Sequence, residues 1–329
     1  MQVETLRDEV VNALQQLAWD QWSQLGVSAA PPERRSEHAA DPEALLLFTL
    51  EVGRTDPRLF DEVLDWLALN EPLVSVHRLR SLSSDNDRAL VDSALDWVAR
   101  IRRGRSTEVV ARDLRPLFPG FATPTDDLDP AFAAHGFART PLEPSGKSQP
   151  PRVTEPIAFA FRMRRLLGVG VRAEVMRALL TIRAPWLSGR VITGSAAFSQ
   201  RNVREGLVQL QDAGVVDMRT VADDRHYSVG SAEWAALLRL DSLPLHYDWI
   251  PAYRAMTRIL RFLRRPELDS LSPYLRASQA RTLIDEIDAD LRYVGPPPVN
   301  DAAFGLDMWD QFAEIARAAI RSARAPTAA

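Results

Sequence analysis

"FSQRNVREGLVQLQDAGVV", residues 198–216, runs directly into "DMRTVADDRHYSVG", residues 217–230. Ser199 stands where an N-cap belongs, its side-chain oxygen placed to accept from a first-turn N–H of a helix that begins at Gln200. At 3.6 residues per turn, Val203, Leu207, Leu210 and Gly214 fall on one side with Gly206 close by. Arg201, Arg204, Glu205, Val208, Gln209 and Asp212 fall on the opposite side or its flanks. One face must pack, and the other is free. Gly214 sits where a left-handed C-cap is expected. "VVDMRT" and "RHYSV" then alternate as two strands about "VADD", which predicts a hairpin.

Working outward, "GVGVRAEVMRALLT" sets Val171, Val175, Met176 and Leu179 on one apolar helix face. After a break at "APW", Ser188 can cap a short helix through Val191, Ile192 and Ala196. Helix, short helix, longer polar-faced helix and hairpin, in that order over residues 165–230, resemble the winged helix-turn-helix of bacterial transcriptional regulators. The likeness is closest to the antibiotic-resistance-repressor and arsenic-repressor types, and "SQRNVREGLVQLQDAGVV" carries it.

The resemblance implies that this longer helix enters the major groove of double-stranded DNA, its N-terminal residues against base edges while neighbouring elements hold phosphates. Ser199, Gln200, Arg201, Asn202 and Arg204 occupy that N-terminal turn, and Arg, Gln and Asn are the side chains able to make bidentate contacts with G or A. Glu205 could accept from a cytosine amino group or pair with Arg201 one turn earlier, and Gln209 continues the free face. Arg219, Arg225 and His226 are the hairpin's candidates for backbone or minor-groove contact. Asp223 and Asp224 depart from a basic wing, because carboxylates at its tip repel phosphate.

Charge distribution agrees with that placement. The chain of 329 residues is net −4, but residues 1–156 hold 17 basic and 25 acidic side chains, 157–230 hold 11 and 6, and 231–329 hold 12 and 13. The segment just read is the clearly basic one, as phosphate contact requires. Lys147 is the sole lysine; every other basic side chain, histidines aside, is arginine. With no cysteine there is no disulfide, Cys-ligated zinc or thiol nucleophile. "MQVETLRDEV" lacks a signal peptide's basic start and apolar core, and no apolar run reaches the roughly 20 residues of a membrane span, so a soluble cytoplasmic protein is expected.

At 46% hydrophobic and 26% charged, the chain is long enough for two or three cores, and its fold class reads as mainly α. Residues 1–118 form a helical N-terminal domain: Leu6, Val10, Leu14 and Leu17 repeat at helical spacing, and Asp41-Pro42 and Asp56-Pro57 each supply a cap followed by a first-turn proline. "VSVHRLRSL" and "NDRALVDSALDWVARIRR" add two more helices. Residues 119–156, rich in Pro, Ser and Thr, read as a linker or surface connection, 157–240 as the winged unit, and 241–329 as a helical C-terminal region. In "FGLDMWDQFAEIARAAIRSAR" a stripe of Phe304, Met308, Phe312, Ile315 and Ala319, with Trp309 and Ala316 beside it, serves either a homodimer interface or this chain's own core. A two-fold dimer would read paired half-sites.

Other motifs are weaker. "SGKS" at 145–148 imitates the end of a phosphate-binding loop, but Pro141 occupies the position of its first glycine. "GVGVRA" at 168–173 follows a helical "RMRRLL" rather than a strand, so its glycines read as a turn. His38, His77, His135, His226 and His246 lack metal-ligand spacing, and Asp126–Asp127 has no partner base or nucleophile. "LNEPLVSVHRLRSL" is a possible second helix-turn-helix with His77, Arg78 and Arg80 exposed, although its acidic setting points to a structural helix pair. No catalytic, cofactor or metal site emerges. The expected function is sequence-specific DNA-binding regulation by a homodimer, with a small molecule or protein as signal. The alternative is an antitoxin-like or adaptor module that uses the same fold to dock a protein.

Overall fold

Two Asp-Pro pairs start two of the helices around which the larger core is built. The computed structural model describes residues 2–104, 113–123, 125–294 and 307–325, and these are mainly helical. Helices α1 (Val3–Gln24), α2 (Pro42–Val52), α3 (Pro57–Asn70), α4 (Val76–Leu82) and α5 (Asp85–Arg103) come first. The Asp41 side chain accepts from the Ala44 N–H and Asp56 from that of Leu59, so each carboxylate satisfies an otherwise orphaned donor at a helix start. Trp22 and Trp66 pack with ring centroids 4.8 Å apart, fully buried between α1 and α3.

The Pro-rich connection differs from a free linker. β1 (Arg115–Pro116) precedes it, and it contains α6 (Pro130–Ala133) and β2 (Phe137–Ala138), which pairs in parallel with β1. Phe132 and Phe137 are buried in the first core, and Arg139 reaches Asp61 of α3 across 2.8 Å. The "SGKS" turn wraps the Asp65 carboxylate, which accepts from the backbone N–H of Gly146 at 3.1 Å and of Ser148 at 3.3 Å. Donors that could have met a phosphate are spent on α3. A few aromatic and charged anchors outweigh the flexibility that the Pro and Ser content suggests.

A second, smaller core follows. Helices α7 (Phe159–Leu167) and α8 (Val171–Thr181) are joined through Gly168 and Gly170, then come β3 (Leu187–Ser188), α9 (Gly189–Ala196), α10 (Gln200–Asp212), β4 (Asp217–Val221), β5 (Asp224–Ser228) and α11 (Ser231–Leu237). The antiparallel sheet has the order β3-β5-β4, with Leu187 opposite Tyr227 and Met218 opposite Tyr227 on its other edge. Val175, Met176, Ile192, Val203, Leu207, Val216 and Tyr227 share this core.

The chain then returns to the first core through α12 (Trp249–Leu263), α13 (Pro273–Val294) and α14 (Asp307–Arg324). Tyr253 of α12 stacks on Phe48 of α2 with centroids 4.5 Å apart, and Phe312 of α14 meets Phe262 at 5.3 Å. Met308, Trp309, Phe312, Ile315, Ala316 and Ala319 are all buried in that core, so of the two uses expected for the stripe it is the chain's own core that takes it; Phe304 lies outside the described residues. Among the described residues no helix is long and apolar enough to cross a membrane.

Candidate functional site

The two faces of α10 separate as its periodicity predicts. Val203, Leu207 and Leu210 are buried with Gly206, whereas Gln200, Arg201, Arg204, Glu205, Val208 and Gln209 are exposed and Asn202 is half-buried. A β-carbon on Gly206 would stand 3.2 Å from Val171 Cγ1, so the glycine lets α10 lie close against α8. Ser199 caps the helix, its hydroxyl accepting from the Asn202 N–H at 3.2 Å. Of the two roles open to Glu205, the geometry shows the ion pair: its Oε1 accepts from Arg201 Nε at 2.9 Å. Arg204 and Gln209 remain on the same solvent-facing side.

The hairpin divides its candidates. Arg219 and His226 are cross-strand partners, while Arg225 shares the alternate face with Tyr227. Arg219 lies over the Trp186 ring, 4.3 Å from its centroid, so its guanidinium is held at the sheet edge by a cation–π contact. Arg225 is exposed, and the His226 ring nitrogen Nδ1 lies 3.3 Å from the Asp224 carbonyl. Ala222 and Asp223 form the two-residue tip with φ of 47° and 71°, both left-handed, as a type I′ turn requires.

A buried charge network joins the two cores and reaches the end of α9, just before α10. Its cations are Arg78 on α4, Arg164 on α7 and Arg177 on α8; its anions are Asp41, Glu43 and Glu174. Arg78 donates to Asp41 Oδ1 at 2.6 Å and Glu43 Oε2 at 2.8 Å. Arg164 donates to Glu43 and Glu174 at 2.7 Å each, and Arg177 to Glu174 Oε2 at 2.8 Å. Two spare donors reach the end of α9: Arg78 Nε to the Ala196 carbonyl and Arg177 Nη2 to that of Ser195, both at 2.8 Å. His77 stacks on Phe198, in the turn between α9 and α10, with centroids 6.1 Å apart.

Burial alone would raise the Asp41 and Glu174 carboxyls. The opposing charge of Arg78 and Arg177 at Asp41, and of Arg164, Arg177 and Arg78 at Glu174, outweighs it and holds both below the usual carboxylate range. Arg78 and Arg164 are correspondingly raised, their burial outweighed by the same carboxylates. Equal numbers of each sign and a near-complete set of hydrogen bonds make such burial tolerable.

Of the expected residues of α10, Gln200, Arg201, Arg204, Glu205 and Gln209 thus stand together on one exposed face with Asn202 half-buried, while the hairpin's three are split between two faces of the ribbon. The expectation that Arg78 is exposed is overturned: it is fully buried, because Asp41, Glu43 and the Ala196 carbonyl converge on its guanidinium, whereas His77 and Arg80 are exposed. The network itself was missed, although Glu174, Arg177 and Thr181 repeat at helical spacing as a polar stripe on a helix with few exposed positions. Arg172 was also passed over; it is exposed at the start of α8, beside Gly206. Among the described residues no group of three or more His, Asp or Glu side chains could hold a metal ion. No family model, curated protein or solved structure matches the chain.

Proposed function

We propose that residues 157–240 form a winged helix-turn-helix unit through which this protein binds double-stranded DNA in a sequence-specific manner and regulates transcription. The observation that carries the reading is the exposed face of α10, where Gln200, Arg201, Arg204 and Gln209 stand free of the core on a helix whose other face packs on α8. Those side chains suit base edges, and Arg172 beside them suits a phosphate. A homodimer reading paired half-sites remains part of the proposal, through a surface other than the buried stripe of α14.

One observation favours docking of a protein instead. Over residues 199–228, Arg201, Arg204, Arg219 and Arg225 are outnumbered by Glu205, Asp212, Asp217, Asp223 and Asp224. A mixed surface of that kind suits a partner of mixed charge better than a phosphate backbone. Selection of random duplexes by the full-length protein decides between them. Enrichment of one motif, with affinity falling steeply as salt rises, supports the regulator; no enrichment, together with a stable protein complex, supports the docking module.

A further inference from the structure

The two arginines on the free face of α10 are held differently. Arg201 Nε donates to Glu205 Oε1 across 2.9 Å, whereas among the described residues Arg204 has no hydrogen-bond or ion-pair partner. With Glu205, Val208 and Gln209 they line one open depression of about 420 Å³. The guanidinium carries five N–H donors in a rigid plane, and a carboxylate that accepts from Nε leaves the end-on pair, on Nη1 and Nη2, unengaged. Nothing else among the described residues holds Arg201, and 86% of its side chain is exposed.

Two parallel donors of that kind match one base edge. In the major groove guanine alone offers two acceptors, N7 and O6; adenine pairs an acceptor with an amino donor, thymine has one acceptor and a methyl group, and cytosine has only an amino donor. Glu205 limits where the fork can go. It follows Arg201 by one helical turn, so its hold on Nε narrows the rotamers of a long side chain before any DNA arrives. In the free protein this exposed pair adds little to stability. Within a groove that displaces water the same contact strengthens, because screening falls. The carboxylate also repels phosphate, which turns Arg201 from the backbone toward the bases. Arg204 has no such brace.

We infer that Arg201 reads a guanine of the bound DNA through Nη1 and Nη2, that Glu205 is the positioning residue for this contact, and that Arg204 binds a phosphate. The inference rests on the DNA-binding reading of α10 and adds to it the base recognised and the division of work between the two arginines.

The full-length protein first selects its preferred duplex from a random pool. Each guanine of that duplex is then replaced by 7-deazaguanine, which keeps Watson–Crick pairing and removes N7. At one guanine, or one in each half-site, the replacement should weaken the parent chain about fivefold or more. Arg201→Ala should abolish that sensitivity. Arg204→Ala should weaken the unmodified and 7-deaza duplexes alike and reduce the slope of log affinity against log salt by about one. Glu205→Gln keeps an acceptor for Arg201 Nε and Glu205→Ala does not. Both should raise affinity for an unrelated duplex equally, while sensitivity to 7-deazaguanine falls in part for Gln and largely for Ala. A carboxylate acting through charge alone would move the two variants together. Equal sensitivity in the two, sensitivity lost with Arg204→Ala and kept with Arg201→Ala, or a selected duplex whose guanines are all dispensable overturns the inference. The parent chain on 7-deaza duplexes decides the guanine even if a variant fails to fold. If the parent selects no duplex, the DNA-binding reading itself fails and the inference falls with it.

Discussion

The Nε–H of Arg78, on α4, donates to the carbonyl of Ala196 at the end of α9 across 2.8 Å. A residue of the first core thereby satisfies a helix C-terminus of the second, next to Ala197, whose φ of 53° turns the chain toward α10. Removing that guanidinium leaves Asp41 and Glu43 short of a partner in a dry site. Arg78→Leu is therefore expected to cost about 3–5 kcal/mol in urea unfolding of the full chain. Arg78→Lys should also destabilise, because an ammonium cannot serve both carboxylates and the carbonyl with one planar fork. A cost within experimental error for both would show that the network does not hold the two cores together.

The same network sets the response to acid. Asp41 and Glu174 are held below their ordinary values, so the unfolded chain takes up their protons first as pH falls. Their contribution is present in full above the unfolded carboxylate values of about 3.9 and 4.3 and is lost as pH drops through the lower native values. His38, also lowered, adds an earlier and shallower loss that begins near the unfolded value of about 6.5. The urea midpoint should thus be flat near neutrality, decline gently below it and fall steeply in strong acid. His38→Gln should remove the gentle step alone. A midpoint as high at pH 3 as at pH 7 contradicts the assignment.

Local chemistry made much of this fold legible. Asp41-Pro42 and Asp56-Pro57 announce helix starts within four residues, and the division of Val203 and Leu207 from Arg201 and Arg204 needs one helical period. Pairings between distant segments were not legible. Two residues, Leu187 and Ser188, become a strand only because Tyr227 and His226 lie beside them, and Arg78 is buried only because Asp41, Glu43 and Ala196 converge on it. No window around residue 78 contains those partners.

Leu207 tests the packed face of α10. It is 1% exposed in the second core, and Leu207→Ala should lose roughly 2–5 kcal/mol from lost burial and a residual cavity. Chemical denaturation measures this directly. An unaltered unfolding midpoint would mean that the faces of α10 are assigned the wrong way round.

Glu205 tests the free face. Its pairing with Arg201 is solvent-exposed, so breaking it should barely move stability. On DNA its carboxylate either reads a cytosine or offsets the charge of Arg201. Under the second use Glu205→Gln should tighten duplex binding and steepen its salt dependence, while Arg201→Ala with Arg204→Ala should weaken a specific site on the order of tenfold to a hundredfold and relax its base preference. Unchanged binding in every variant would leave α10 without a part in DNA contact.

The hairpin tip carries the last prediction. Ala222 and Asp223 both occupy left-handed backbone, which costs an L-residue with a β-carbon roughly 1–2 kcal/mol and favours Asn-Gly at these two positions. Ala222→Asn with Asp223→Gly should therefore stabilise the hairpin, read as a higher melting temperature of the full chain and slower amide exchange at Thr220 and Arg225, which pair across it. The exchange also removes one of the two tip carboxylates. If the tip approaches phosphate, duplex affinity should rise beyond what greater order at the hairpin explains, and Asp223→Asn alone should reproduce that gain with little change in stability. If the tip instead meets a basic patch on a protein, both variants should weaken that complex. A drop in melting temperature for Asn-Gly would show that the turn is held by contacts of Ala222 or Asp223 rather than by backbone geometry.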